Sequence, residues 1–378
     1  MTRAEVADKL MRKQQAPRTG LYDKPWFDTL DRWVTEGYPT ARDAQGNVVF
    51  MENGKPQPQQ PADVLGFDMA DAGGWMDNIP IRGYRVVEQE TDEWVAARDG
   101  SGALFKQWKH KSGVPEHMDF HMSSREIWER DYRPHIQRAV DNPETERLKA
   151  DENAKTLANY RAKGVYTELG HGFVWEQLRH CLGDICMFES LLTDPAWIED
   201  FTWLYLDFYK AHMALLIESA GVPDCVWVYE DLGYRNGLFC SPKILEEMFF
   251  PIYRSYVEFI HQQYDLPVVF HCCGQMERVI PMVVEAGFDG LNPMENKSGN
   301  DVVRIARTYG DKLTLVGGFN GMTLERGDRA ELRAEAERII KGCQDAGAPL
   351  FFGSDHSVST GVSYATYQYV LDVYHRFK

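Results

Sequence analysis

The 378-residue chain reads as an α/β protein, a (β/α)8 TIM-type barrel with an N-terminal helical and β-hairpin elaboration. Three observations predict this. From Gly164 onward, short apolar runs alternate with longer amphipathic segments, as parallel strands joined by crossover helices require. The polar, ligand-like residues fall just after those runs, at strand ends that a barrel gathers at one mouth and an open sheet spreads along an edge. The Gly-x-Gly-x-x-Gly fingerprint of a doubly wound dinucleotide fold is missing.

Taken in order, MTRAEVADKLMRKQQ reads as a polar helix and lacks the apolar stretch of a secretory signal. Residues 1–60 are expected to form an extension packed on the barrel, closing with the proline-rich GKPQPQQP of residues 54–61. The barrel is then 61–378, with VLGFDM (64–69) as its first strand. An insertion at about 84–113 carries two β-rich arms around Asp99-Gly100-Ser101-Gly102, where glycine supplies the positive φ of a tight turn. From Ser124 to about Arg161 the chain is charged and helical. Six further strands follow, GVYTELG, CVWVYEDLG, LPVVFHCCG, FDGLNPME, DKLTLVGGF and APLFFGSDH, each trailed by a helical segment. That makes seven strands and leaves one unassigned.

Composition excludes several classes. Hydrophobic residues make up 44% and charged residues 26%, as in a soluble globular protein, and the formal charge is −16. No Lys/Arg-rich block offers a face for nucleic acid, and no run of about 18 apolar residues offers a membrane span. Seven cysteines without scaffold spacing point to a thiol-preserving, cytoplasmic compartment. No P-loop, Gly-x-Ser-x-Gly elbow or kinase signature is present.

The chemistry concentrates in VVFHCCGQ (268–275). Side chains two apart on a strand share a face, so His271 and Cys273 can address one point while Cys272 turns into packing. Imidazole with thiolate suits zinc. Glu295, after the next strand, and Asp355 and His356, after the last, are the other candidate ligands. Both acids have an alternative use as helix caps. Of the adjacent pair Glu230 and Asp231, one is expected to face the mouth as a general acid or a substrate-orienting group, the alternative being an ion pair with Arg235. His171 is a third candidate for proton transfer, with hydrogen-bond anchoring as its alternative. Glu168, Tyr229, Tyr234 and Asn320 are candidate substrate contacts.

From about Gly164 to the C-terminus the chain resembles the uroporphyrinogen decarboxylase-like superfamily. The resemblance is carried by GDICMFESLLTDPAWIED, YEDLGYRNGLFCSPKILEEMFFPIYRSYVEFIH, FHCCG, LVGGFNG and FGSDHSVSTGVSYATYQYVLDVYHRF. WFDTLDRWVTEGYP (26–39) is similar to the opening of other members. The resemblance implies a (β/α)8 barrel, frequently dimeric, and two kinds of chemistry. Metal-free decarboxylases carry an Arg-Gln-Ala-Gly-Arg-Tyr motif that is missing here. Zinc-dependent cobamide methyltransferases carry His-x-Cys, matched by His271 and Cys273, and a later cysteine, where this chain has Ser354. The more distant cobalamin-independent methionine synthases add a glutamate one strand on, where Glu295 stands. The resemblance thus implies zinc held by His271, Cys273, Glu295 and one of Asp355 and His356. It also implies a methyl group exchanged between a corrinoid on a partner protein, or a methylated O- or N-methyl compound, and a small-molecule acceptor. A metal-free carboxy-lyase and a non-catalytic ligand- or corrinoid-binding barrel are the alternatives.

Overall fold

A computed structural model describes residues 1–110, 113–144 and 149–378. Residues 111–112 of the expected hairpin segment and 145–148 of the expected helical stretch lie outside the described residues. The strands are β1 (Gly20–Leu21), β2 (Met69–Asp71), β3 (Arg85–Glu90), β4 (Trp94–Asp99), β5 (Ala103–Trp108), β6 (Glu116–Phe120) and β7 (Tyr166–Gly172). They continue as β8 (Cys225–Tyr229), β9 (Gly233–Tyr234), β10 (Gly237–Leu238), β11 (Val268–Cys272), β12 (Gly290–Pro293), β13 (Thr314–Val316) and β14 (Leu350–Phe352).

Eight of them form one parallel sheet in the order β1-β14-β13-β12-β11-β8-β7-β2. Asp68 joins the two edges. Its N–H donates to the Leu21 carbonyl at 2.8 Å, and its carboxylate accepts the Leu21 N–H at 2.8 Å and two guanidinium N–H groups of Arg18 at 2.7 and 2.5 Å. These bonds satisfy the edge groups that an open sheet would expose, and the result is a (β/α)8 barrel. The strand missing from the sequence reading is β1, inside the segment 1–60. A two-residue strand carries no periodicity to detect. The predicted strand at 64–69 is displaced for a related reason: a proline-started turn of helix occupies Pro61–Val64, and pairing begins only at Met69.

The N-terminal helix, Arg3–Met11, begins in a capping box between Thr2 and Glu5. Its Val6, Ala7, Leu10 and Met11 are buried against inward-facing Met69, Tyr166, Trp227 and Phe351, so it plugs the barrel where the strands begin. A second and larger core lies between the strands and the outer helices. No helix among the described residues is long and apolar enough to cross a membrane.

The insertion is larger than a hairpin. The Asp99–Gly102 turn links β4 to β5 as expected, and β3 and β6 add to either side to make a four-stranded antiparallel sheet. The outer strands, RVVEQE and EHMDF, are almost wholly exposed and lack a clean alternation, so the first merges with β4 into one predicted arm and the second escapes detection. Phe120 of β6 anchors this sheet to the barrel. It fills a break in the helix Val174–Thr193 at Gly183, where φ is +70° and a Cβ would lie 2.3 Å from the Phe120 ring.

Candidate active site

The mouth is built by parity along β11 and its neighbours. Val269, His271 and Cys273 point inward and Phe270 and Cys272 outward, with Cys272 fully buried in packing. Cys273 Sγ lies 3.4 Å from His271 Nε2. On β12, paired residue for residue with β11, Asn292 sits beside His271 and its Oδ1 lies 2.5 Å from Nδ1. The Asn292 amide donates to the Val316 carbonyl at 2.9 Å, so its Oδ1 must be the acceptor toward histidine. That fixes the proton on His271 Nδ1 and leaves the Nε2 lone pair facing the mouth, as a metal-binding histidine requires. Burial lowers the pKa of His271, outweighing nearby Asp231 and the Asn292 bond, which keeps the ring neutral.

Around this pair stand three further ligand types. Asp231 accepts the Cys273 N–H at 2.9 Å and lies 4.0 Å from His271 Nε2. Glu295 accepts the Gly274 N–H at 3.1 Å and the Ser298 hydroxyl at 2.8 Å, and its other oxygen lies 3.9 Å from His356 Nε2. Ligand atoms of Asp231, His271 and Cys273 lie within 4.8 Å of one another, and so do those of Cys273, Glu295 and His356. The two groups share Cys273. Burial, then the carboxylates of Asp231 and Glu295, push the Cys273 thiol well above its ordinary value, so a bound cation would have to displace its proton. Nitrogen, sulfur and oxygen donors of this kind fit zinc.

The remaining sequence-predicted residues scatter by role. Asp355 is turned away from the cluster: its carboxylate accepts the N–H groups of Gly321 (2.8 Å) and Asn296 (2.7 Å), which leaves His356 as the last-strand member. Glu230 faces the helix layer and accepts the N–H groups of Trp175 and Glu176, both at 2.9 Å, at the start of the following helix. The expected ion pair of this acidic pair with Arg235 is not among the described contacts. His171 lies on the outer face of β7, bonded through Nε2 to the Tyr256 hydroxyl at 2.7 Å and stacked on Tyr209. Burial lowers its pKa to about 4. Asn320 caps the helix Gly321–Arg326, and Tyr234 is half exposed on the β9–β10 turn. Tyr229 lines the mouth, its ring 4.8 Å from that of His271.

Glu168 forms the floor with residues that sequence reasoning missed. It is fully buried and accepts the Tyr22 hydroxyl at 2.6 Å and the Lys24 ammonium at 2.7 Å. Lys24 also donates to the Tyr229 hydroxyl and lies 5.2 Å from the Trp227 ring centre. Asp23, one residue earlier, accepts the N–H and hydroxyl of Ser354, and burial raises its pKa to about 6. Asp23 and Lys24 follow β1, the undetected strand. Their only sequence signal is a pair of charges after the short apolar run GLY. Tyr22, Asp23 and Lys24, with Tyr229, His271 and Cys273, line a cavity of about 250 Å3 at the barrel mouth.

Residues 188–377, from within the helix Val174–Thr193 through the last helix, match the model of the family uroporphyrinogen decarboxylase (URO-D). The chain belongs to the URO-D family. The matched region contains Asp231, His271, Cys273, Glu295 and His356, whereas Lys24 and Glu168 lie before it. Among solved structures, this URO-D family chain is similar to a methyltransferase from Methanosarcina mazei. The TM-score is 0.65 at 10% identity, over 100% of this chain and 99% of that one, and the likeness is one of fold. A psychrophilic glycoside hydrolase family 10 endo-beta-1,4-xylanase matches at a TM-score of 0.38 and 13% identity, over 62% of this chain and 87% of that one, too low to carry an argument. No curated protein matches.

Proposed function

We propose that this URO-D family chain is a zinc-dependent methyltransferase working at the barrel mouth. The observation that carries the reading is the pair of three-residue ligand groups sharing Cys273, with the His271 Nε2 lone pair freed by Asn292. His271 and Cys273 would hold the ion, with Glu295 and His356 adjoining it on the far side of Cys273 and Asp231 beside His271. Zinc bound there supplies Lewis acidity, lowering the pKa of an acceptor thiol so that it is nucleophilic near neutral pH.

The chain's own residues then account for the rest. Asp231, 39% exposed at the rim, is the carboxylate placed to take the acceptor's proton. The rings of Tyr229 and Trp227 form a wall beside His271, against which the donor's methyl group would be held in line with the acceptor. The methyl passes to the acceptor's electron pair as its bond to the donor breaks, and the donor retains that bonding pair. A methylcorrinoid on a partner protein, or a methylated small molecule, would serve as donor. The decarboxylase reading expects arginines facing substrate carboxylates. Among the described residues the mouth cavity is lined by one lysine, itself paired with Glu168, and no arginine.

Metal analysis of protein purified without chelators tests this. The expected result is close to one zinc per chain, lost in Cys273→Ala together with methyl transfer. Less than about 0.2 zinc per chain, with activity unchanged in that variant, would refute the proposal.

A further inference from the structure

A second cavity, of about 470 Å3, lies beneath the antiparallel sheet, between β4 and β5 on one side and the helix Val174–Thr193 on the other. Small-molecule sites span roughly 300–1,000 Å3, so this cleft is of ligand size. Trp75 separates it from the mouth: the indole lines the cleft and stacks on Tyr229 with ring centres 5.0 Å apart.

Three of the four charged side chains that line the cleft are already paired. Its acids are occupied: Asp99 bonds His180 Nε2 at 2.6 Å and the Ser101 hydroxyl at 2.5 Å, and Glu176 pairs with Arg179 at 3.0 Å. Arg98 is occupied as well, spanning Glu88 at 2.7 Å and Asp119 at 2.8 Å. Arg85 lines the exposed edge of the cleft; among the described residues its guanidinium makes no ion pair within 4 Å and no side-chain hydrogen bond, and Glu90 on the same strand feels its charge from further off. The imidazole of His117, across the cleft on β6, has ring contacts with Phe105 and Phe120 but no hydrogen-bond partner among the described residues. An arginine at a cavity edge with no carboxylate within ion-pair distance has its fork of N–H donors free for an anion. The other walls are flat and apolar, with Phe105 lying 4.8 Å from His117 and 4.6 Å from His180, ring centre to ring centre.

We propose that this cleft binds a small carboxylate on a flat, apolar body. The planar carboxylate matches the fork of a single guanidinium, Arg85. The body lies against Phe105 and Trp75. The site stands apart from the metal cluster and does not depend on it.

Calorimetric titration of the full chain, metal-free and zinc-loaded, with 2-naphthoate and its uncharged analogue 2-naphthylmethanol tests the proposal. The expected result is saturable binding of 2-naphthoate with the same affinity in both forms, and binding of the alcohol weaker by about tenfold or more, as a lost charge-assisted pair predicts. Arg85→Gln, whose side chain holds nothing else in place, should reduce the acid's affinity to that of the alcohol and leave the alcohol's unchanged. Lys24→Met/Glu168→Gln, which removes the mouth's ammonium and its counter-charge together, should alter neither by more than about twofold. Undiminished binding to Arg85→Gln, loss of binding in the Lys24/Glu168 pair, or no saturable binding below about 10 mM would overturn it.

Discussion

Replacing Lys24 with methionine isolates the ion pair on the floor of the mouth. Methionine keeps most of the aliphatic stem but removes the ammonium 2.7 Å from Glu168, leaving a fully buried carboxylate with the Tyr22 hydroxyl as its remaining partner. Removing one partner of a buried pair costs about 3–5 kcal/mol. The Lys24 side chain is 34% exposed, so water replaces part of the interaction and the low end, about 3 kcal/mol at pH 8, is expected. Burial already holds the Glu168 carboxyl above its ordinary value against the pull of Lys24, and without Lys24 it rises further. An acid whose folded pKa exceeds its unfolded one contributes most stability below the unfolded value and loses it as pH rises toward the folded value. The deficit should therefore be small at pH 5 and grow toward pH 8. Urea denaturation of wild type and variant at both pH values, followed by near-ultraviolet circular dichroism, measures it. Glu168→Gln in the Lys24→Met background should recover most of the loss, because no buried charge remains. A deficit under about 1 kcal/mol, or one independent of pH, would show that the pair is solvated and that this account of the floor is wrong.

Two further outcomes follow from the same physics. His171, lowered by burial from 6.5 to about 4, stays neutral in the fold while the unfolded chain takes up a proton, so its contribution is whole above pH 6.5 and falls away toward pH 4 by about 3 kcal/mol. Asp23, raised from 3.8 to about 6, slopes the other way over much of that window, so the difference between wild type and His171→Gln, read by denaturant titration at pH 4.5 and 7, is the informative quantity. At the barrel seam, Arg18→Met strands the buried Asp68 carboxylate between β1 and β2. The expected loss is about 3 kcal/mol in thermal or urea unfolding, and a loss within 0.5 kcal/mol (about the scatter of a surface change) would place the closure elsewhere.

The barrel was legible because strand–helix alternation is a local property of the chain. Runs such as LPVVFHCCG and APLFFGSDH carry their β-branched or aromatic residues and their turn signals together, and β11 and β14 form within them. The same period-two reasoning separated His271 and Cys273 from Cys272, and the structure places Cys272 in the core. Where an element was short or polar, the pattern failed. β1 is two residues long and β6 is exposed, so the barrel's eighth strand and the last strand of the inserted sheet left no periodic trace, and β3 merged with β4 into one predicted arm.

Which of two neighbouring acids faces the mouth also lay beyond sequence. Glu230 and Asp231 are equivalent as letters, yet one serves the N–H groups that begin a helix and the other accepts from the Cys273 backbone. The same holds at the last strand, where Asp355 is drawn off by two N–H donors and His356 is left beside Glu295.

By itself the sequence determined the architecture, the order of the late strands and the histidine–cysteine pair at its centre, since each follows from spacing along a few consecutive residues. Only the tertiary structure decided that Lys24, at the far end of the chain, lies against Glu168, that Asn292 sets the protonated nitrogen of His271, and that Arg85 stands at the edge of a cleft. Those are contacts between segments up to 144 residues apart, made by closing a ring of strands, and no local pattern encodes where a ring closes.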